Sequence, residues 1–186
     1  MMEKSFSRGR QDVVVEAPII PDFKARWPAL LSVGQLNAEF QRITTVQMHS
    51  KFFMELDDLS PRLLKVYAKK GGLQGQKLVP MTQSDENTEE ALADTVLGIF
   101  AIRHTGADPS DDLENVGIIL EGVKVINDLK YVSLAVLLLF FIVYALNLSY
   151  PSDLKYTFEV LQKIIMGLDG DKLSNKVQVL KPAPSC

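Results

Sequence analysis

An uncharged stretch of 22 residues, from Tyr131 to Ser152, constrains the fold of this 186-residue chain more than any other feature. Its centre, Leu134 to Leu146, is apolar apart from Tyr144. A membrane-spanning helix needs about 20 predominantly apolar residues, so the full stretch is long enough to cross a bilayer. Three tyrosines would then serve as interfacial aromatics: Tyr131, Tyr144 and Tyr150.

The alternative is a central helix that neighbouring elements bury on every side. Its unbroken apolar core, Leu134 to Leu146, is nearer in length to a buried helix than to a membrane span. Asn147, Ser149 and Pro151 interrupt one end, and no excess of Lys or Arg distinguishes the flanks. We therefore expect a buried helix over Lys130 to Leu148, with a single-pass anchor through residues 131–148 as the alternative.

Apolar residues recur at helical spacing between residues 22 and 71, which predicts three short helices. Ser32 is positioned to cap the first helix. Ser60-Pro61 is expected to open the third, because proline suits the first helical position. Gly71-Gly72 should end it. The predicted buried faces are Leu36, Phe40 and Ile43; Met48, Phe52, Leu56 and Leu59; and Leu63, Leu64 and Tyr67.

Two apolar runs, Val96 to Ile102 and Val116 to Ile126, predict a small β-hairpin with a long loop. Gly117 and Gly122 weaken the second run as a strand. Two amphipathic helices should follow the central helix. Their apolar positions are Leu154, Phe158, Leu161, Ile164 and Ile165 in one, and Leu173, Val177 and Leu180 in the other.

These elements predict a predominantly α-helical α+β fold. Residues 1–21 are expected to form a flexible tail, since Pro18 and Pro21 oppose a helix there. Residues 22–180 should form a single globular domain, and residues 181–186 a second tail. Within the domain we expect a helical part over 22–71, a glycine-rich loop over 72–87 and an α+β part over 88–180.

Charge and cysteine content narrow the possible functions. The net charge is −3, so no overall positive field attracts nucleic acid. The hypothesis of a nucleic-acid-associated regulatory factor is supported only by four basic residues near the start: Arg8, Arg10, Lys24 and Arg26. Cys186 is the only cysteine, which excludes an internal disulfide.

The residue patterns that could carry chemistry each lack an essential member. Gly71 to Leu78 resembles a phosphate-binding loop, but Gln76 and Leu78 stand where glycine and Ser or Thr are needed. His49 and His104 have no ligand at metal-binding spacing. Asp108 to Glu114 lacks the glycine and glutamate of a calcium loop. We therefore expect no catalytic, cofactor-binding or metal-binding residues, no cofactor, and a protein that is not an enzyme.

Three long strings of the sequence are distinctive: Asp22 to Leu30, Tyr144 to Pro151 and Leu154 to Lys163. They resemble the C-terminal region of a poorly characterised family of sterile alpha motif domain-containing proteins, and the resemblance covers most of residues 12–181. It implies a non-enzymatic, intracellular, adaptor-like protein and supplies no catalytic residues. This chain is expected to lack the sterile alpha motif domain, to be shortened between Met81 and Thr95, and to be more apolar over Tyr131 to Leu146 than its relatives.

The functional hypothesis is therefore a protein-interaction module in the cytoplasm or nucleus, with self-association as one form of binding. No small-molecule substrate is evident, and a nucleic-acid partner is disfavoured. The binding residues are unknown from the sequence. Exposed apolar positions beside the loop from Gly72 to Asn87 are the predicted location.

Overall fold

A computed structural model describes residues 19–45, 47–70, 92–103, 106, 108, 112–146, 148–149, 151–168 and 172–180, without the side chains of 64–70 and 145. Residues 1–18 of the predicted tail 1–21, the predicted tail 181–186 and the predicted loop 72–87 lie outside these residues. The helices are α1 (Ile20–Arg26), α2 (Val33–Thr44), α3 (Met48–Lys70), α4 (Val132–Ala145), α5 (Lys155–Glu159) and α6 (Asn175–Gln178). The strands are β1 (Leu97–Ile102), β2 (Asn115–Leu120) and β3 (Val123–Leu129). The predominantly helical α+β class is confirmed.

Contacts between residues divide the chain into two compact units. One contains Met1–Ile43 with Pro80–Ser149, and the other contains Thr44–Val79 with Tyr150–Cys186. The predicted helical part and the predicted α+β part are thus each shared between the units. A single globular domain over 22–180 stays a prediction.

Helix α1 opens the described part of the first unit and corrects one expectation. Proline at position 21 was expected to prevent a helix, yet it occupies the first turn of α1. The first turn needs no backbone donor from that residue, so proline is compatible there. Ile20 and Phe23 are buried. A 3-10 turn over Pro28–Leu31 leads to α2, which buries Leu36 and Phe40 as predicted.

Among the residues described, the sheet has three antiparallel strands in the order β1-β2-β3, which corrects the predicted two-stranded hairpin. The pairing of β1 with β2 across a long connection is as expected, with Leu97 opposite Leu120 and Ile102 opposite Asn115. The second predicted strand is instead divided in two by a turn at Glu121-Gly122. Positive φ angles of 48° and 75° at these two residues are those of the tight turn that suits a two-residue hairpin loop.

The apolar stretch forms α4, which is the centre of the first unit. It packs against all three strands, and the ring of Phe141 lies edge-on to Phe40 of α2, with 5.2 Å between centroids. The helix has 14 residues, or about 21 Å at 1.5 Å per residue. In the described part of the chain, no helix combines the length and apolar character that crossing a membrane requires.

Helix α3 of the second unit runs without a break from Met48 to Lys70, where two helices were predicted. Proline 61 therefore lies inside a helix instead of opening one. Ser60 is also not a cap, since its hydroxyl donates to the Leu56 carbonyl oxygen of the preceding turn. Met48, Phe52 and Leu59 are buried on the predicted face.

The C-terminal part of the second unit is less regular than predicted. Ser152–Leu154 form a 3-10 turn, α5 follows, and Val160–Ile165 form a π-helical segment that contacts α3. The predicted last helix, Leu173 to Leu180, is helical only over the four residues of α6. Its apolar contacts are retained, because Val177 and Leu180 are buried.

Candidate protein-binding site at the edge of the sheet

Few of the residues that could take part in catalysis or metal binding lie in the described part of the chain. Those that do make contacts that belong to the fold. The ring of His49 stacks on Phe53 with 6.4 Å between centroids. Among the residues described, no group of three His, Cys, Asp or Glu side chains could hold a metal ion. Outside the described residues lie His104, Cys186, Gly71 to Leu78, residues 109–111 of the acidic stretch 108–114, and the predicted binding location beside Gly72 to Asn87.

The basic residues near the start are only partly described. Arg8 and Arg10 fall outside the described residues. Lys24 donates through Nζ to the carbonyl oxygen of Lys124, which joins α1 to strand β3. Lys124 in turn places its ammonium group 5.3 Å from the centre of the Phe100 ring. Lys24 therefore has a structural contact within the first unit.

The β2–β3 turn holds the start of α1. The Ile20 N–H group donates to Oε2 of Glu121 at 2.9 Å, across 101 residues of sequence. This N–H belongs to the first turn of a helix, where backbone donors have no partner within the helix. A carboxylate there is also favoured by the helix dipole. Glu121 thus fixes the N-terminus of α1 beside the hairpin turn.

The same turn also contacts the residues before β1. Gly122 donates its N–H to the Thr95 carbonyl oxygen at 2.9 Å. A Cβ atom on Gly122 would lie 2.6 Å from the carbonyl oxygen of Ala93. Glycine is therefore required at this position both by its positive φ angle and by the close approach of the backbone. The turn, the start of α1 and the start of β1 meet at one end of the sheet.

Strand β1 lies at one side of the sheet, and its outward backbone groups can be assigned from the pairing. Glu121 donates its N–H to the Val96 carbonyl oxygen at 2.8 Å, so Val96 faces β2. Because this direction alternates along an antiparallel strand, Gly98, Phe100 and Ile102 also face β2. The N–H and C=O groups of Leu97, Ile99 and Ala101 therefore point away from β2. We name these outward groups the β1 edge.

The β1 edge lacks the features that usually discourage strand pairing. No charged residue and no proline occurs from Thr95 to Ile102, whereas exposed edges commonly carry lysine, proline or inward-facing charge. In the described part of the chain, β2 is the strand that pairs with β1. Two exposed apolar side chains lie at the same end of the sheet: Val96 is 64% exposed and Ile19 is 58% exposed.

What the β1 edge can do chemically follows from its own residues. No protein-family model, curated protein or solved structure matches the chain. Outward backbone donors and acceptors on an apolar strand bind another strand. The backbone groups of the β1 edge are not suited to acid–base or nucleophilic chemistry, because amides do not titrate near neutral pH.

One buried charge was missed by sequence reasoning. Glu39 in α2 is only 4% exposed. Its carboxylate accepts hydrogen bonds from Nε of Arg42 at 2.7 Å and from a second guanidinium nitrogen of the same residue. The signal available in the sequence was the i,i+3 spacing of the two opposite charges, which favours their pairing on a helix. The burial of Glu39 followed from tertiary packing and had no signal in the local pattern.

A second carboxylate, Glu159, joins α5 to the segment that precedes α6. It accepts hydrogen bonds from the Ser174 hydroxyl at 2.7 Å and from the Ser174 N–H at 2.6 Å. The Ser174 hydroxyl, followed by its backbone N–H, holds the pKa of Glu159 below the ordinary value of 4.5, and Lys163 and Lys155 act in the same direction. Partial burial opposes this shift. The contact fixes α6 within the second unit.

We expect this carboxylate to make stability depend on pH in the acid range. Because the folded pKa is lowered, the unfolded chain binds the proton more readily. The stabilisation that Glu159 contributes is therefore complete at pH values above the unfolded pKa of about 4.5. It is lost as the pH falls through the folded pKa. Urea unfolding of the wild type and Ser174→Ala between pH 7 and pH 3 would measure it. Ser174→Ala should cost about 1.5 kcal/mol at pH 7 and less at pH 3.

An equal cost at both pH values would contradict the assignment. Ser149→Ala supplies the control, because Ser149 is exposed and lies in the other unit. It should change neither the stability nor its pH dependence.

Proposed function

We propose that the protein is a non-enzymatic interaction module, adaptor-like and intracellular, in the cytoplasm or nucleus. It binds an extended apolar segment of a partner protein, which adds to the sheet as a strand along the β1 edge. The observation that carries this proposal is the outward row of backbone groups at Leu97, Ile99 and Ala101 on a strand without charge or proline.

The chemistry of the β1 edge suits strand addition better than other modes of recognition. In strand addition, main-chain hydrogen bonds supply affinity and neighbouring side chains supply selectivity. Val96 and Ile19 provide exposed apolar surface at one end of the edge. An apolar partner segment is favoured because no charged side chain of β1 can pair with an ionic one. The resemblance of Asp22 to Leu30 and Tyr144 to Pro151 to an adaptor-like family supports the same function.

Proline at position 101 tests the proposal, because Ala101 carries an outward N–H. Ala101→Pro removes this donor while leaving the hydrogen bonds between β1 and β2, and edge strands tolerate such a proline. Ala101→Ser is the matched control, since it keeps the N–H and nearly the same volume. Full-length wild type and both variants would be captured from crosslinked cells, and bound proteins quantified by mass spectrometry. We expect specific partners to fall about tenfold with Ala101→Pro and to remain with Ala101→Ser.

Circular dichroism should first show that both variants retain the helical content of the wild type. Partners whose recovery is the same for Ala101→Pro and Ala101→Ser do not bind through the β1 edge. If every captured protein behaves in that way, the proposed function is wrong.

A further inference from the structure

The outward residues of β1 continue a face of the sheet that is fully buried on β2. Their partners in the β1–β2 pairing are Leu120, Ile118 and Val116. These β2 side chains are at most 2% exposed. Leu97, Ile99 and Ala101 lie on the same face but are only half-buried. The apolar face is therefore incompletely covered at the β1 edge, and a further strand there would extend it.

The outward groups of β1 are complementary to those of a second copy of the same strand. In an antiparallel pair, facing residues exchange two hydrogen bonds at every second position. When Ile99 lies opposite Ile99 of the second copy, Leu97 of each strand lies opposite Ala101 of the other. Among the two-fold symmetric registers, this one alone pairs all three outward residues of both strands. It also places the large Leu97 side chain beside the small Ala101 side chain.

Charges at the two ends of β1 favour the same antiparallel arrangement. Asp94 precedes the strand and is exposed, and Arg103 follows it. This register brings Asp94 of each copy within one residue of the position opposite Arg103 of the other, whereas a parallel pair would bring like charges together. Arg103 is held at its end of the strand by a hydrogen bond to the Asp108 carbonyl oxygen at 3.0 Å. Glu114 and Glu121 lie beside β2, one strand further from the contact.

We infer that the strand bound at the β1 edge is β1 of a second copy, which gives a two-fold symmetric dimer with one continuous sheet. The inference rests on the proposed strand addition and adds the identity of the bound strand. Each copy covers the uncharged edge of the other, and the two-fold contact is complete with two copies. A segment of another protein must then compete with the second copy for the β1 edge.

Sedimentation velocity of the full-length protein over a range of concentrations tests the dimer. Strand β1 has six residues, or about 20 Å at 3.3 Å per residue. Because a contact of this length is small, we expect a dissociation constant of about 10–100 µM. Ala101→Pro removes an outward N–H from each copy and should raise this constant about a hundredfold. Ala101→Ser keeps the N–H and should leave the constant unchanged.

Charge reversal tests the register with two variants that should rescue each other. Asp94→Arg makes both ends of β1 basic, and Arg103→Glu makes both ends acidic. Each variant alone should therefore dimerise about tenfold more weakly than the wild type at low salt, where surface charges are least screened. In an equal mixture, the basic ends of one variant face the acidic ends of the other, so the mixed dimer should regain the wild-type affinity. Such rescue also shows that both variants are folded.

Three results would overturn the inference. They are a wild type that stays monomeric at about 500 µM, well above the constant expected for a contact of this size; a dimer that Ala101→Pro does not weaken; and a mixture no tighter than its two components. Partner capture decides the proposed function separately. If the dimer forms through β1 but Ala101→Pro loses no other captured protein, the inference stands and the adaptor role fails. If the wild type is monomeric but Ala101→Pro loses captured proteins, the proposed function stands and the inference fails.

Discussion

Replacing Gly117 by alanine should destabilise the first unit by about 3 kcal/mol, the upper part of the range for overpacked sites. Gly117 lies opposite Phe100 in the β1–β2 pairing. A Cβ atom there would approach both the Phe100 ring and the Ile126 carbonyl oxygen closer than 3.0 Å. The ring can rotate away, but the carbonyl belongs to the backbone of β3. The clash with the Ile126 carbonyl oxygen could therefore be relieved only by a shift of β3.

Urea unfolding followed by circular dichroism would measure this loss, and Gly34→Ala gives a matched control. Gly34 lies in α2, and a Cβ atom there would meet nothing within 4 Å. Gly34→Ala should therefore stabilise the chain by about 0.5–1 kcal/mol, as expected for glycine in a helix. A Gly117→Ala protein with wild-type stability would show that β3 can move without cost. The close packing around Gly117 would then not be essential to the sheet.

The helical elements were largely predictable because their apolar residues repeat at helical spacing. Leu36, Phe40, Met48 and Phe52 are buried as the pattern indicated. Their boundaries were less predictable, since Pro61 is a strong local signal for a helix start. In the structure, α3 continues through Pro61. Contacts along α3, including those of the π-helical segment, outweigh the one hydrogen bond that proline removes.

The third strand was missed because Gly122 was interpreted as a weakness within one strand. A two-residue turn containing glycine between apolar runs was the available signal. The register of β3 had no comparable signal, because two irregularities interrupt its pairing with β2. One lies near Asp128, which has a φ angle of 59°. Asn115 stabilises it by exchanging two hydrogen bonds with Asp128, at 3.0 and 3.1 Å.

The candidate site was not predictable from local sequence, although its strand was. The run from Val96 to Ile102 indicated β1, but only the order of the strands places it at a side of the sheet. The contact between Ile20 and Glu121 joins residues 101 positions apart. The periodic spacing of apolar residues along the sequence gives no information about such a contact. Recognition through backbone groups also leaves no characteristic residue motif, unlike a metal or nucleophile site.

A glutamate in place of Leu138 should cost about 4 kcal/mol or prevent folding of the first unit. Leu138 is completely buried in α4. The apolar character of the whole helix predicted this burial from the sequence. In the structure, Leu138 is buried because α4 packs against all three strands. A carboxylate there would lose its hydration, and burying a charge without a partner is strongly unfavourable.

The matched control is Val132→Glu, at the first residue of the same helix. Val132 is 42% exposed, so its carboxylate stays hydrated. Negative charge is also favourable at a helix N-terminus. This variant should remain within about 0.5 kcal/mol of the wild type in urea unfolding, as is usual for surface substitutions. Equal stability of the two variants would mean that Leu138 is accessible to water. Helix α4 would then not be the core of the first unit, and the sheet that presents the β1 edge would need another support.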